Sequence, residues 1–137
     1  MFDFEKYFSL NQDLLLKQID YKSIEVHDSP ETAKLVCKDE LEILKIDEEK
    51  IDLIFTRKLN FEPKCLYELT ISFGFSLVFN QNNKLEVDWN KIDFVKELKD
   101  DQNVVLGNII SRVSLLISEI TSCNGFIPII TPPSFMS

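Results

Sequence analysis

The stretch LYELTISFGFSLVFN, residues 66–80, decides the fold. Tyr67, Leu69, Ile71, Phe73, Phe75, Leu77 and Phe79 take every odd position, and Glu68, Thr70, Ser72 and Ser76 stand between them. Side chains on a strand alternate between faces, so a period of two demands one long strand with its aromatic-rich face toward a core. Just upstream, Ile51, Leu53, Phe55, Leu59 and Phe61 alternate with Asp52, Thr56, Lys58 and Asn60 and predict a second strand. Residues 60–64, with Pro63, supply the turn between the two. Residues 41–46 predict a third strand that turns at residues 47–50, and residues 18–26 a fourth, closed by the breaker Asp28, Ser29 and Pro30. Four strands joined by short turns predict an antiparallel sheet, because parallel neighbours need long crossovers.

The pattern changes after the Asn-rich loop at residues 80–84. Asp88 can cap a short helix in which Trp89, Ile92, Val95 and Leu98 recur at helical spacing. A longer helix is predicted over residues 102–123, with Asp100 and Asp101 near its positive end and Asn124 and Gly125 as its stop. Val105, Ile109, Val113, Leu116 and Ile120 form one stripe on it, widened by Leu106, Ile110 and Ile117. The opposite face, Asn108, Ser111, Ser114, Ser118 and Ser122, is almost uncharged, and from residue 102 onward only Arg112 and Glu119 carry charge. A solvated helix face normally carries more, so both sides of this helix are expected to be covered, which suggests subunit contacts. In residues 126–137, Pro128, Pro132 and Pro133 stand among Phe126, Ile127, Ile129, Ile130 and Phe135 and forbid a regular helix; an extended apolar segment is expected. The class is therefore α+β: a four-stranded antiparallel sheet packed against one long C-terminal helix, a single domain over residues 1–137.

Composition narrows the function. Hydrophobic residues make up 45% and charged residues 28%, as in folded globular chains. The formal charge of -8 repels phosphate backbones and anionic lipid heads, which argues against nucleic acid as a partner. The first ten residues lack a basic n-region, and Asp3 and Glu5 interrupt the apolar residues, so no signal peptide is expected. No run approaches the about 18 apolar residues a spanning helix requires, so no membrane insertion is expected. Cys37, Cys65 and Cys123 are odd in number and widely spaced, which fits reduced thiols in a cytosol.

Little points to catalysis. His27 is the single histidine, so no histidine-rich metal site can form, and the cysteines do not offer zinc-site spacing. No flanking motif supports a Cys–His nucleophilic pair. Gly74, Gly107 and Gly125 build no phosphate loop. Glu48 with Glu49, and Asp100 with Asp101, fall in turns or caps, where solvation explains them better than acid–base work. No cofactor is expected, and the chain does not read as an enzyme. Eleven phenylalanines and a second apolar set in the C-terminal third exceed what one helix and one sheet conceal. Surplus apolar surface has to meet another subunit, a client, or both.

The order of parts resembles the SecB family of bacterial protein-export chaperones. The motif-bearing stretch is residues 108–135: Ile109-Ile110-Ser111-Arg112, Ile117-Ser118-Glu119-Ile120-Thr121, Gly125-Phe126-Ile127-Pro128 and Pro132-Pro133-Ser134-Phe135 are similar to the family's helix and its glycine, proline and terminal aromatic signature. The resemblance implies a cytoplasmic homotetramer, a dimer of dimers, that holds unfolded or precursor polypeptides in apolar grooves without ATP. It also implies that Phe126, Ile127, Ile129 and Ile130 sit beside such a groove as client contacts, while Phe135 is structural. Two departures stand out. The chain stops at Ser137, two residues after Phe135, so the resemblance leads one to expect that the family's second helix is missing and that a groove would be more open. The acidic residues of the family's first strand, part of its contact with the SecA motor, are replaced by Ser23 and His27, which argues against SecA delivery. The alternative is a SecB-like interaction module for one dedicated partner, such as a toxin–antitoxin system protein.

Overall fold

The computed structural model describes residues 2–9, 13–26, 28, 30–100, 102–123 and 127–136. The two alternating stretches form the centre of the sheet. β4 (Lys50–Glu62) and β5 (Leu66–Phe79) are antiparallel neighbours, preceded by β3 (Lys34–Ile46) on the far side of β4. Period two sets their faces as expected: Ile51, Leu53, Phe55 and Leu59 on β4 and Tyr67, Leu69, Ile71, Phe75, Leu77 and Phe79 on β5 are buried, and only Phe73 of the β5 series is half-buried. Thr56 and Ser72, directly opposite on the other face, share a hydrogen bond of 2.8 Å.

Two strand expectations are corrected. β3 begins at Lys34 rather than residue 41, and Asp39, inside the added length, is buried on the core face. The strand read at residues 18–26 is β2 (Leu15–Ile24), and no short turn places it beside β3. It pairs with β5, on the opposite edge of the sheet from β3. Three hairpin-connected strands and a fourth that lies beside the last of them make a Greek key. A two-residue strand, β1 (Phe8–Ser9), continues the same edge of β5 through Phe8 opposite Phe79.

One layer of helix covers the apolar face. α3 (Gln102–Ser122) turns Val105, Leu106, Ile109, Ile110, Val113 and Ile117 into the core at no more than 1% exposure. By length and mean hydropathy, 1.2 over Val105–Ser122, α3 resembles a membrane span more than its residues suggested, but its apolar stripe is spent on the sheet. The short helix begins later than expected. α2 (Phe94–Asp100) is capped by Asp93, whose Oδ1 accepts from Lys96 N at 3.2 Å, while Asp88 accepts from Asn90 N in a separate turn. Trp89 is drawn off the helix because its indole N–H donates to Lys84 O at 3.0 Å and its ring packs edge-on against Phe2, Phe8, Phe79 and Phe94. Asp93→Ala is expected to cost about 1 kcal/mol in urea unfolding, and Asp88→Ala less than half of that; equal losses would restore the earlier start. A four-residue helix, α1 (Phe4–Tyr7), seals the same end through buried Phe4.

Candidate functional site

Beside the β4–β5 turn, Val26, Pro30 and Ala33 border a groove of about 840 Å³ open to solvent. Its aromatic wall begins in the sheet. Tyr67, buried on the core face, stacks on Tyr21 at 5.5 Å and meets Phe61 edge-on at 5.2 Å. Tyr21, Ile24, Phe61, Cys65 and Leu66 line the groove, and exposed Glu25 and Glu31 bring negative charge to it. Burial, with Tyr21 beside it, pushes the Tyr67 phenol up. Leu66 holds a φ of 58°, in the left-handed region a branched side chain rarely occupies. Backbone held there costs about 1–3 kcal/mol, and such strain is found at ligand clamps and active sites.

An exposed apolar strip runs along β2. Register sets Leu16, Ile19 and Tyr21 opposite Phe73, Ile71 and Leu69, on the core side of the sheet, yet they remain 45%, 45% and 39% exposed. The far edge of β2 meets no strand among the described residues, so its backbone groups and this apolar strip lie side by side.

The residues suggested by sequence lie elsewhere. Phe126 falls outside the described residues. Ile127 and Ile130 project at 87% and 85% exposure, whereas Ile129 packs against the core and its N–H donates to Thr121 Oγ1 at 2.9 Å. They belong to a strap, residues 127–136, anchored by a pair that sequence reasoning missed. Arg57 and Asp39 face each other across β4 and β3, both side chains fully buried, with Nε–Oδ1 and Nη2–Oδ2 distances of 2.7 Å. Arg57 also donates to Thr131 Oγ1 at 2.8 Å, Pro132 O at 2.9 Å and Ser134 O at 3.0 Å. Asp39 takes Met136 on both sides: its Oδ2 accepts from Met136 N at 2.8 Å, and its N–H donates to Met136 O at 2.6 Å. Ser114 bonds Thr131 at 2.9 Å, so two uncharged α3 side chains, Ser114 and Thr121, serve the strap. Asn108, Ser111, Leu115 and Ser122 stay exposed in the single chain. Phe135 meets Phe55 edge-on at 6.1 Å and lies under Lys99 Nζ, a packing role.

Among the described residues no group of three His, Cys, Asp or Glu could hold a metal ion, and His27 lies outside them. Burial pushes the Cys37 thiol up, against the weaker pull of Arg57, the opposite of what activates a nucleophile.

No family model and no curated protein matches the chain by sequence. Among solved structures, the Mycobacterium tuberculosis SecB-like chaperone in complex with a ChAD peptide from the HigA1 antitoxin superposes with a TM-score of 0.64 at 8% identity, covering 88% of this chain and 86% of that one. A Streptococcus agalactiae protein of unknown function aligns at a TM-score of 0.42 and 10% identity over 89% of this chain and 98% of its own. The fold is therefore SecB-like: an α+β antiparallel sheet closed by a long C-terminal helix.

Proposed function

We propose that this protein binds extended apolar segments of other polypeptides and holds them without ATP, as a SecB-like chaperone. The observation that carries the reading is the aromatic-walled groove together with the unpaired β2 edge, since an extended chain can bury alternate side chains there while its backbone pairs with the strand. Glu25, Glu31 and a net charge of -8 favour segments flanked by basic residues. The protein is a binding module rather than an enzyme, and the exposed α3 face suits a homotetramer of paired dimers working in the cytoplasm. Delivery to SecA is not part of the reading.

The groove and the strap make separate predictions. Tyr21→Glu places a charge on the aromatic wall at a half-exposed position that the fold tolerates. It is expected to weaken a fluorescein-labelled, lysine-flanked apolar peptide by at least about tenfold, equal to about 1.4 kcal/mol, and to abolish suppression of client aggregation. Ile127→Ser with Ile130→Ser is expected to change that affinity less than threefold; the reverse ranking would move the site to the strap. A second reading, one dedicated partner, draws on the antitoxin peptide bound by the structural neighbour. Peptides of scrambled order separate the two, because a general holder binds them alike and a dedicated module does not.

A further inference from the structure

The strap is held in an unusual way for a structural tail. Of the hydrogen bonds that Arg57 and Asp39 make to residues 131–136, all but the one to the Thr131 hydroxyl go to main-chain atoms: the carbonyls of Pro132, Ser134 and Met136 and the N–H of Met136. Main-chain contacts carry little information about side-chain identity, so such a seat accepts any extended segment that offers carbonyls at this spacing. The seat lies mainly on the sheet, and Ser114 of α3 also accepts from Arg57 Nη1 at 3.3 Å. Arg57 and Asp39 face each other on adjacent strands, and Phe55, two residues along β4, is the ring that Phe135 meets. Buried ion pairs seldom stabilise more than apolar residues of equal volume, so stability alone does not account for a guanidinium here, whereas capturing carbonyls does.

We propose that the Arg57–Asp39 seat on β3 and β4 is a second polypeptide-binding site, which the chain's own strap occupies as a pseudo-ligand and an extended, proline-containing segment of another polypeptide takes when the strap leaves. The strap shows what such a segment needs: no regular secondary structure, two carbonyls turned to Arg57, one residue paired with Asp39, and an aromatic side chain for Phe55. The strand edge at Asp39 is then alternately closed by the strap and open to a client. The site rests on the polypeptide-binding reading only for the kind of client it serves, because strap exchange is measurable with the strap's own sequence.

The test uses the full chain and a fluorescein-labelled peptide of residues 127–136, followed by anisotropy. Thr131→Val with Phe135→Ala weakens the resident strap and leaves the seat intact. Since apparent affinity scales with the fraction of open sites, the peptide is expected to bind this variant at least about tenfold more tightly than the parent. Adding Asp39→Asn is expected to abolish that gain. Tyr21→Glu, in the groove, is expected to leave it unchanged, so failure of the groove and failure of the seat are told apart. Equal affinity for parent and weakened-strap chains overturns the proposal, as does a gain that survives Asp39→Asn or vanishes with Tyr21→Glu. If the double variant loses native Trp89 emission, the single Thr131→Val variant serves instead: the Met136 amide is expected to exchange at least about tenfold faster while the Ile71 amide does not, and matched rates overturn the seat.

Discussion

Asp39→Ala is expected to lower the free energy of unfolding by about 3–5 kcal/mol, the usual loss when one partner of a buried ion pair is removed. Both side chains are fully buried, so no solvent screening softens the effect. Arg57 would keep its bonds to Thr131, Pro132 and Ser134, but none of these carries the negative charge that offsets a buried guanidinium. The strap would also lose Met136, its tie to the β3 edge. Urea denaturation followed by Trp89 fluorescence reads the loss. A loss under about 1 kcal/mol would mean that the pair is solvated as an exposed bridge is. Replacing both residues, Asp39→Leu with Arg57→Met, is expected to cost less than Asp39→Ala alone, because no unpaired charge remains.

Phe55→Ala should be comparably severe, at about 3–5 kcal/mol, for a different reason. Phe55 is 0% exposed at the centre of β4, directly opposite Leu41 on β3 and Phe73 on β5, with Phe135 of the strap against it. The cost is lost transfer energy plus the cavity that rigid strands on both sides cannot close. Phe73→Ala, one strand away and only half-buried, is expected to lose less than half as much in the same urea titration. Equal losses would place the densest packing on β5.

The two experiments touch the residues that defeated sequence reading. Arg57 sits at an odd position between Phe55 and Leu59, so the period of two already turned it toward the core, but a charged residue there reads as an interruption. Asp39 does the same to the first half of β3, where Leu35 and Cys37 also face inward, and for that reason only residues 41–46 were legible as strand. Each charge conceals the other: a buried Arg looks wrong until a buried Asp stands across from it, and no local pattern reports that pairing. The start of α2 was misplaced on similar grounds, since the spacing of Trp89 and Ile92 is helical while the hydrogen bond from Trp89 to Lys84 and the surrounding rings are not local to a helix. The groove is not legible in the sequence because its walls come from residues 21–26, 30–33 and 61–66, which meet only through strand order. Of the residues the family resemblance nominated, the structure separates an inward Ile129 from outward Ile127 and Ile130, a division that periodicity cannot make in a proline-punctuated segment.

Residues 50–79 and 102–122 determined their own elements and buried faces, because backbone geometry imposes periods of two and 3.6 on any chain that must hide one side. Tertiary structure alone decided that β2 joins β5, that Asp39 answers Arg57, and that the strap is held by its carbonyls. Those choices depend on groups far apart in the chain whose charges and hydrogen bonds are satisfied only by each other, so no window of sequence contains both halves of the reason.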